Sequence, residues 1–230
     1  MSIGPNSPPS PMAQIPPLAR TTLTLTVVLI GVYIALDILA QLLPPHYNAV
    51  TQAESDLAVG PYGYVMTVNF VVRGLLSTSF LVGLTAATRI GSRSRAGVAL
   101  LSVWAVGALL LAIFPTDIGT TEATVHGRLH LVLALVAFVG ATIGMALLSR
   151  HFLEEDRLRA FTSPANVIST LTILSFVIFL LATPVPFLLT HAYGLLERIF
   201  IGLVLLWMLT VSLHLLRSRQ PAERPIPEGT

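Results

Sequence analysis

Two histidines four residues apart, in the segment VHGRLH, have the spacing of a ligand pair on one helix. His126 and His130 lie one helical turn apart, so their side chains share a face with Cβ atoms about 6 Å apart. Asp117, nine residues before the first histidine, would add a carboxylate oxygen. Two imidazoles and one carboxylate around an open position suit hydrolytic zinc. The sequence therefore predicts Asp117, His126 and His130 as candidate ligands of a divalent metal such as zinc.

The same segment differs from the metalloprotease motif in which a glutamate follows the first histidine. Gly127 occupies that position, so a catalytic base would have to come from another part of the chain. Haem is disfavoured, because bis-histidine ligation needs two imidazoles at equal depth on facing helices, whereas His126 and His130 lie on one predicted helix. The chain has no cysteine and no lysine, which excludes thiolate ligands, cysteine nucleophiles and Schiff bases.

A second interpretation of the charged residues is a metal-free ligand site. Arginine side chains bind phosphate or carboxylate groups, and histidines can donate hydrogen bonds or act as acid–base groups. We expect Arg73 and Arg198 to be the anion anchors of such a site. The candidate ligand-binding residues are Asp56, Arg73, Asp117, His126, His130, Glu197 and Arg198. A third interpretation is purely structural, with the same groups pairing only with one another.

Six long apolar segments must position these residues. The chain of 230 residues is 54% hydrophobic and 10% charged, with a mean hydropathy of +0.81, whereas soluble domains carry about 25% charged residues. A helix needs about 20 apolar residues to cross a bilayer. The predicted spans are 21–43, 62–88, 96–115, 125–149, 165–187 and 194–216. We therefore expect an all-α fold, a six-transmembrane-helix bundle in residues 21–216, between proline-containing tails, 1–20 and 217–230, that are expected to be disordered.

The arginines predict how this bundle is oriented. All but three of the 13 lie near one set of span ends, together with both termini, and positive residues remain on the cytoplasmic side. Arg73 is an exception, about 16 Å inside span 2 at 1.5 Å per residue. A charge at that depth costs at least about 2.5 kcal/mol unless it faces the bundle or finds a partner. We expect Arg73 to face inward and to pair with Asp37 or Glu197, while Arg128 points away towards lipid headgroups.

Three segments of the chain resemble a known family. These segments are ESDLAVGPYGYVMTVNFVVRG, IFPTDIGTTEATVHGRLHLVLALVAF and GLLERIFIGLVLLW. They are similar to the domain-of-unknown-function 998 family, DUF998, of bacterial and archaeal membrane proteins. The likeness covers about residues 22–216, and its most specific parts are FPTD and HGxxH. It implies six spans and a distant similarity to eukaryotic lysosomal autophagy modulators and phosphoinositide-kinase-localising proteins, but no activity. The matching positions are Asp56, Arg73, Phe114, Pro115, Asp117, His126, Gly127, His130, Glu197 and Arg198.

Together these features predict a multi-pass protein of a prokaryotic plasma membrane with a polar pocket on its extracytoplasmic side. The first loop, the turn between spans 3 and 4 and the start of span 6 would build this pocket. Its expected ligand is lipid-like or amphiphilic, and the sequence leaves open whether that ligand is bound only or also processed with a metal. Membrane lipids and a partner membrane protein are the expected partners, and nucleic acid is not. The alternative is a non-enzymatic scaffold or partner subunit in which the polar cluster is structural.

Overall fold

The computed structural model describes residues 15–43, 45–88, 91–118, 122–155 and 157–218. These residues form seven α-helices and two short 3₁₀ helices, Glu54–Ala58 and Arg159–Phe161, and contain no strand. The α-helices are α1 (Pro17–Leu42), α2 (Gly63–Ala87), α3 (Ser92–Leu111), α4 (Val125–His151), α5 (Thr162–Ala182), α6 (Pro186–His191) and α7 (Tyr193–Arg217). The predicted all-α fold is confirmed.

Six of these helices are long and apolar enough to cross a membrane, with mean hydropathies from 1.6 to 2.6 in their most apolar windows. The short α6 is the exception, and no sequence pattern had predicted it. It lies between α5 and α7, where Pro184 and Pro186 interrupt the apolar sequence. Proline is tolerated in the first turn of a helix but not in its interior, so α5 ends before these prolines and α6 begins at one of them.

Several helix ends differ from the sequence prediction: α3 begins at Ser92 rather than 96, and α5 runs from Thr162 to Ala182 rather than over 165–187. The first helix begins at Pro17 rather than at residue 21, because a proline fits its first position and Ala19 is fully buried. The third helix ends at Leu111 rather than 115, before the FPTD segment, whose Pro115 disfavours a helical conformation in the preceding residue. Most of the two tails that were expected to be disordered, residues 1–14 and 219–230, lies outside the described residues.

The helices pack in chain order, and the last one closes the bundle. Each long helix contacts the next, and α7 contacts α5, α1 and α2. The second helix is central, with 67% of its most apolar window buried, whereas only 28% of that window is buried in α1. Two buried tryptophans mark the core, Trp104 and Trp207, whose indole N–H groups donate to the hydroxyls of Ser77 and Ser149 at 3.0 and 2.9 Å.

One end of this bundle carries the residues of interest. We call it the loop-1 end, after loop 1 (residues 45–62), which connects α1 to α2. The turn between α3 and α4 and the start of α7 lie at the same end, because consecutive helices run in opposite directions. Helix α1 packs against α2 and α7, and loop 1 returns from the end of α1 to the central helix α2.

Candidate functional site

A buried ion pair joins loop 1 to the central helix. The Nη1 atom of Arg73 lies 3.6 Å from Oε2 of Glu54, and these side chains are only 2% and 3% exposed. The hydroxyl of Tyr33 donates a hydrogen bond to the other carboxylate oxygen of Glu54. The guanidinium carbon lies 5.0 Å from the ring centroid of Phe70 and 4.9 Å from that of Trp104, which adds cation–π attraction.

This pair confirms one prediction and corrects another. Arg73 faces inward, as predicted from the cost of a charge within the membrane. Its ion-pair partner is Glu54, however, and not Asp37 or Glu197. Glu54 lies in a 3₁₀ helix of loop 1, so only the return of that loop into the bundle brings it to α2.

The second arginine of the cluster, Arg198, fastens loop 1 to α7. Its Nη1 atom donates to the backbone carbonyls of Ala49 and Gln52 at 3.2 and 3.3 Å, and its Nη2 atom donates to the hydroxyl of Tyr47 at 2.7 Å. The carboxylate of Asp37 lies 3.9 Å from Nη2, which is an ion-pair distance beyond hydrogen bonding. Loop 1 therefore supplies most of the acceptors that surround this guanidinium group.

The neighbouring residues of α7 bind the same loop. The Oε2 atom of Glu197 accepts a hydrogen bond of 2.6 Å from the backbone N–H of Glu54, and the backbone N–H of Leu195 donates to the carbonyl of Val50 at 3.0 Å. A Cβ atom at Gly194 would overlap with a backbone carbonyl of loop 1. The glycine, the glutamate and the arginine of the segment GLLER thus act together to hold loop 1 in place.

Asp56 lies beside this cluster in a separate cavity of about 250 Å³, which it lines together with His46 and Tyr47. Ile118, from the turn between α3 and α4, lines the same cavity, so this turn and loop 1 adjoin each other. Burial raises the pKa of Asp56 above its ordinary value, although a backbone hydrogen bond at Ala53 and the charge of Arg198 oppose that shift. Burial also raises the pKa of Tyr47.

Asp117 organises the start of α4. Its carboxylate accepts hydrogen bonds from the backbone N–H and the hydroxyl of Thr124 at 2.7 and 2.8 Å. The hydroxyl of Thr124 in turn caps α4 by accepting a 3.1 Å hydrogen bond from the N–H of Gly127. A Cβ atom at Gly127 would overlap with the Asp117 carboxylate. Gly127, at the position that a glutamate occupies in the metalloprotease motif, therefore makes room for the carboxylate of Asp117.

The two histidines occupy different environments. His130 is buried, and its Nδ1 atom lies 2.7 Å from the carbonyl oxygen of Phe114. Since a carbonyl oxygen only accepts, that nitrogen carries the proton. His126 is exposed, with its ring 5.9 Å from the ring of Phe114. The ring of Phe70 contacts both His130, at 6.3 Å between centroids, and the guanidinium group of Arg73, so these two residues flank one aromatic side chain.

The predicted metal set gains no support from these positions. Within the described ranges, no three histidine, aspartate or glutamate side chains are grouped so that they could hold a metal ion. The Asp117 carboxylate is engaged by Thr124, and His126 is exposed while His130 is buried. A metal held by Asp117, His126 and His130 remains a prediction.

A groove between α1 and α7 was not predicted from the sequence. It encloses about 320 Å³, and its polar lining, at the loop-1 end, consists of Tyr33, Asp37, Glu54 and Arg198. Farther along the two helices its lining is apolar, including Ile30 on α1 and Ile201, Leu205 and Leu209 on α7, while Ile34 lies between the polar residues Tyr33 and Asp37. The three- and four-residue spacing of these positions predicts one face on each helix. It does not predict that the two faces stand apart and leave a groove.

Comparison with known proteins identifies the family. No curated protein and no solved structure matches the chain. One family model, described as protein of unknown function (DUF998), matches residues 27–214, which is most of the chain and includes every candidate site residue. The chain therefore belongs to the DUF998 family, as the resemblance of its three segments had implied.

Proposed function

We propose that the groove between α1 and α7 binds a lipid-like or amphiphilic ligand, at the extracytoplasmic side of a prokaryotic plasma membrane. The observation that carries this proposal is the change of polarity along the groove. Ionisable and hydroxyl-bearing side chains line its loop-1 end, and aliphatic side chains line the remainder. An amphiphile has the same arrangement, with a polar head and an apolar tail.

The size of the groove fits one lipid tail. Its lining on α7 runs from Arg198 to Leu209, which corresponds to about 16 Å at 1.5 Å per residue. That length is about half of the hydrocarbon core of a bilayer, roughly 30 Å thick, and therefore about one leaflet. The volume of about 320 Å³ lies at the lower end of the range of roughly 300–1,000 Å³ that is usual for ligand pockets.

The groove also opens in the direction from which a lipid would come. Its lining includes Ile34 and Leu206, which are 48% and 43% exposed on the sides of their helices. In a bilayer these side chains would contact hydrocarbon, so a tail can enter laterally without crossing water. The uneven distribution of arginine supports the loop-1 end as the extracytoplasmic one.

Photolabelling in nanodiscs tests this proposal. Three single-chain probes share a diazirine-bearing alkyl chain and carry a hydroxyl, a phosphate or an ammonium head. We expect at least one probe to label peptides of α1 and α7 in preference to those of α4 and α5, because the proposed groove would hold its tail in a defined position. Mass spectrometry of the digested protein measures this distribution.

Two glycines provide a matched pair of variants for this experiment. A Cβ atom at Gly202, which lines the groove, or at Gly31, which does not, would meet no atom within 4 Å. Gly202→Leu is expected to fill the groove and to abolish the preferential labelling, whereas Gly31→Leu leaves it intact. Labelling that is equal on all lipid-facing helices, or that is unaffected by Gly202→Leu, would contradict the proposal.

A second candidate function is a non-enzymatic scaffold, and the internal pairing of the cluster favours it. Arg73 is bound by Glu54, most acceptors of Arg198 come from loop 1, and Asp117 is bound by Thr124. In that case the groove variant Gly202→Leu would change no labelling pattern, while variants of the ion pair would lower stability alone.

A further inference from the structure

We propose that the polar head of the groove's ligand is a primary ammonium group that binds to Asp37. This inference rests on the amphiphile binding proposed above and specifies the chemical class of the head. Two independent observations lead to it: the sum of the charges in the cluster, and an oxygen atom of Asp37 that has no hydrogen-bond donor.

The charges of the cluster do not balance. Its acidic side chains are Asp37, Glu54 and Glu197, and its basic side chains are Arg73 and Arg198, which leaves one negative charge in excess when all are ionised. An unpaired charge away from water is costly, and a bound counter-charge would offset that cost. A cationic head would complete the cluster, whereas a phosphate would increase the imbalance.

Asp37 is the more exposed acidic side chain of the groove, and its Oδ1 atom lies 3.9 Å from Nη2 of Arg198, an ion-pair distance beyond hydrogen bonding. Its Oδ2 atom accepts a 2.6 Å hydrogen bond from Gln41, but its Oδ1 atom is buried and has no hydrogen-bond partner. The side chain lines the groove and is 19% exposed as a whole, so a head group that enters the groove meets this carboxylate. A primary ammonium group brings both the positive charge and the N–H donor that Oδ1 lacks.

The two arginines are poorly placed to select an anionic head. Arg73 is buried against Glu54 and two aromatic rings and does not line the groove. Arg198 does line it, but its two terminal nitrogens already donate to loop 1, and only its Nε atom is buried without an acceptor. The carboxylate of Asp37 is therefore the polar group best able to accept a new partner.

Thermal unfolding in phosphatidylcholine nanodiscs tests the inference with probes that share one tail. Dodecylamine, dodecyltrimethylammonium, 1-dodecanol and dodecyl phosphate differ only in the head, and ethylamine lacks the tail. A ligand that binds only the folded state raises the melting temperature. Dodecylamine is expected to bind roughly tenfold to a hundredfold more tightly than 1-dodecanol, as expected for a hydrogen bond between charged groups. Dodecyltrimethylammonium, which has the charge without an N–H donor, should bind less tightly than dodecylamine.

Three variants separate this inference from the proposed function. Asp37→Asn, which keeps the size of the side chain, should remove the preference for dodecylamine over 1-dodecanol, whereas Glu122→Gln at an exposed site should retain it. An unchanged preference in Asp37→Asn, or tighter binding of dodecyl phosphate, overturns the ammonium assignment and leaves amphiphile binding standing. Binding that Gly202→Leu does not weaken, or an equal effect of ethylamine, overturns the groove as the site of a tail.

Discussion

At the residue scale, the pairing of Glu54 with Arg73 is the feature on which the loop-1 end depends most. Both side chains are almost completely buried, and each is the nearest opposite charge of the other. Transfer of two charges from water costs free energy that only close pairing offsets, so such a pair contributes little net stability. Its value lies in specificity, because a structure that leaves either charge alone is strongly disfavoured.

Removal of one member of this pair is therefore expected to destabilise the protein. Glu54→Gln or Arg73→Gln should each lower the free energy of unfolding by about 3–5 kcal/mol, because an uncompensated charge remains buried. The double variant Glu54→Gln/Arg73→Gln should lose less than the sum of the two single changes. Reversible unfolding in mixed micelles measures these free energies.

The exposed carboxylate of Glu122 provides the control for this prediction. Glu122→Gln removes the same charge at the same end of the bundle but from a solvent-accessible position, and its effect should stay within about 0.5 kcal/mol. Single variants of the buried pair that unfold as the wild type does would show that the pair is solvated in the membrane.

The sequence predicted the inward direction of Arg73 but not the identity of its partner, Glu54. A charge 16 Å deep in a span, by the rise of about 1.5 Å per residue, must turn inward, and so the direction of Arg73 followed from physics alone. Its partner depended on the path of loop 1, which has no periodic pattern. Tyr33 and Tyr47 were missed for the same reason, although the position of Tyr33 within an apolar helix is a sign that its hydroxyl needs a partner.

At the element scale, the start of α7 and loop 1 form one unit. The helix offers a backbone N–H, a carboxylate and a guanidinium group, and loop 1 supplies their partners. This contact requires close approach of the two backbones, which Gly194 permits. The six long helices and their order were predictable from the length of the apolar segments, but this docking was not, because its partners are mainly backbone atoms that any sequence carries.

A methyl group at Gly194 is expected to separate the two elements. Gly194→Ala should lower the free energy of unfolding by about 1–3 kcal/mol, since its Cβ atom would overlap with a rigid backbone carbonyl. Hydrogen exchange of the backbone amides in loop 1 should also become faster. Both quantities are measurable on the purified protein in micelles.

Gly202→Ala on the same helix is the matched control. Its Cβ atom meets no neighbour, so the change should be neutral or stabilise the helix by about 0.5–1 kcal/mol. Equal effects of the two substitutions would mean that loop 1 does not dock on α7 as described.

At the scale of the whole molecule, the two ends of the bundle have different chemistry. The loop-1 end holds the mixed cluster of carboxylates and guanidinium groups, and the opposite end carries most of the arginines. This difference was predicted from the sequence, because it depends on counting residues near span ends and not on tertiary contacts. The lateral groove was not, because its existence depends on the spacing of α1 and α7.

The proposed orientation can be tested with single cysteines, since the chain contains none. Glu122 and Glu154 are exposed glutamates at opposite ends of the bundle. In intact cells, Glu122→Cys is expected to react with a membrane-impermeant maleimide, because the proposed orientation directs the loop-1 end outward. Glu154→Cys should react only after lysis. The reverse labelling pattern would place the loop-1 end in the cytoplasm.

The absence of cysteine also has a consequence for how loop 1 is held. Small extracytoplasmic loops are often fastened by disulfides, whose formation depends on oxidising conditions and on isomerase enzymes. Here a guanidinium group and backbone hydrogen bonds from α7 provide the fastening. Loop 1 therefore docks on α7 without oxidative folding, and its attachment is independent of the redox potential on either side of the membrane.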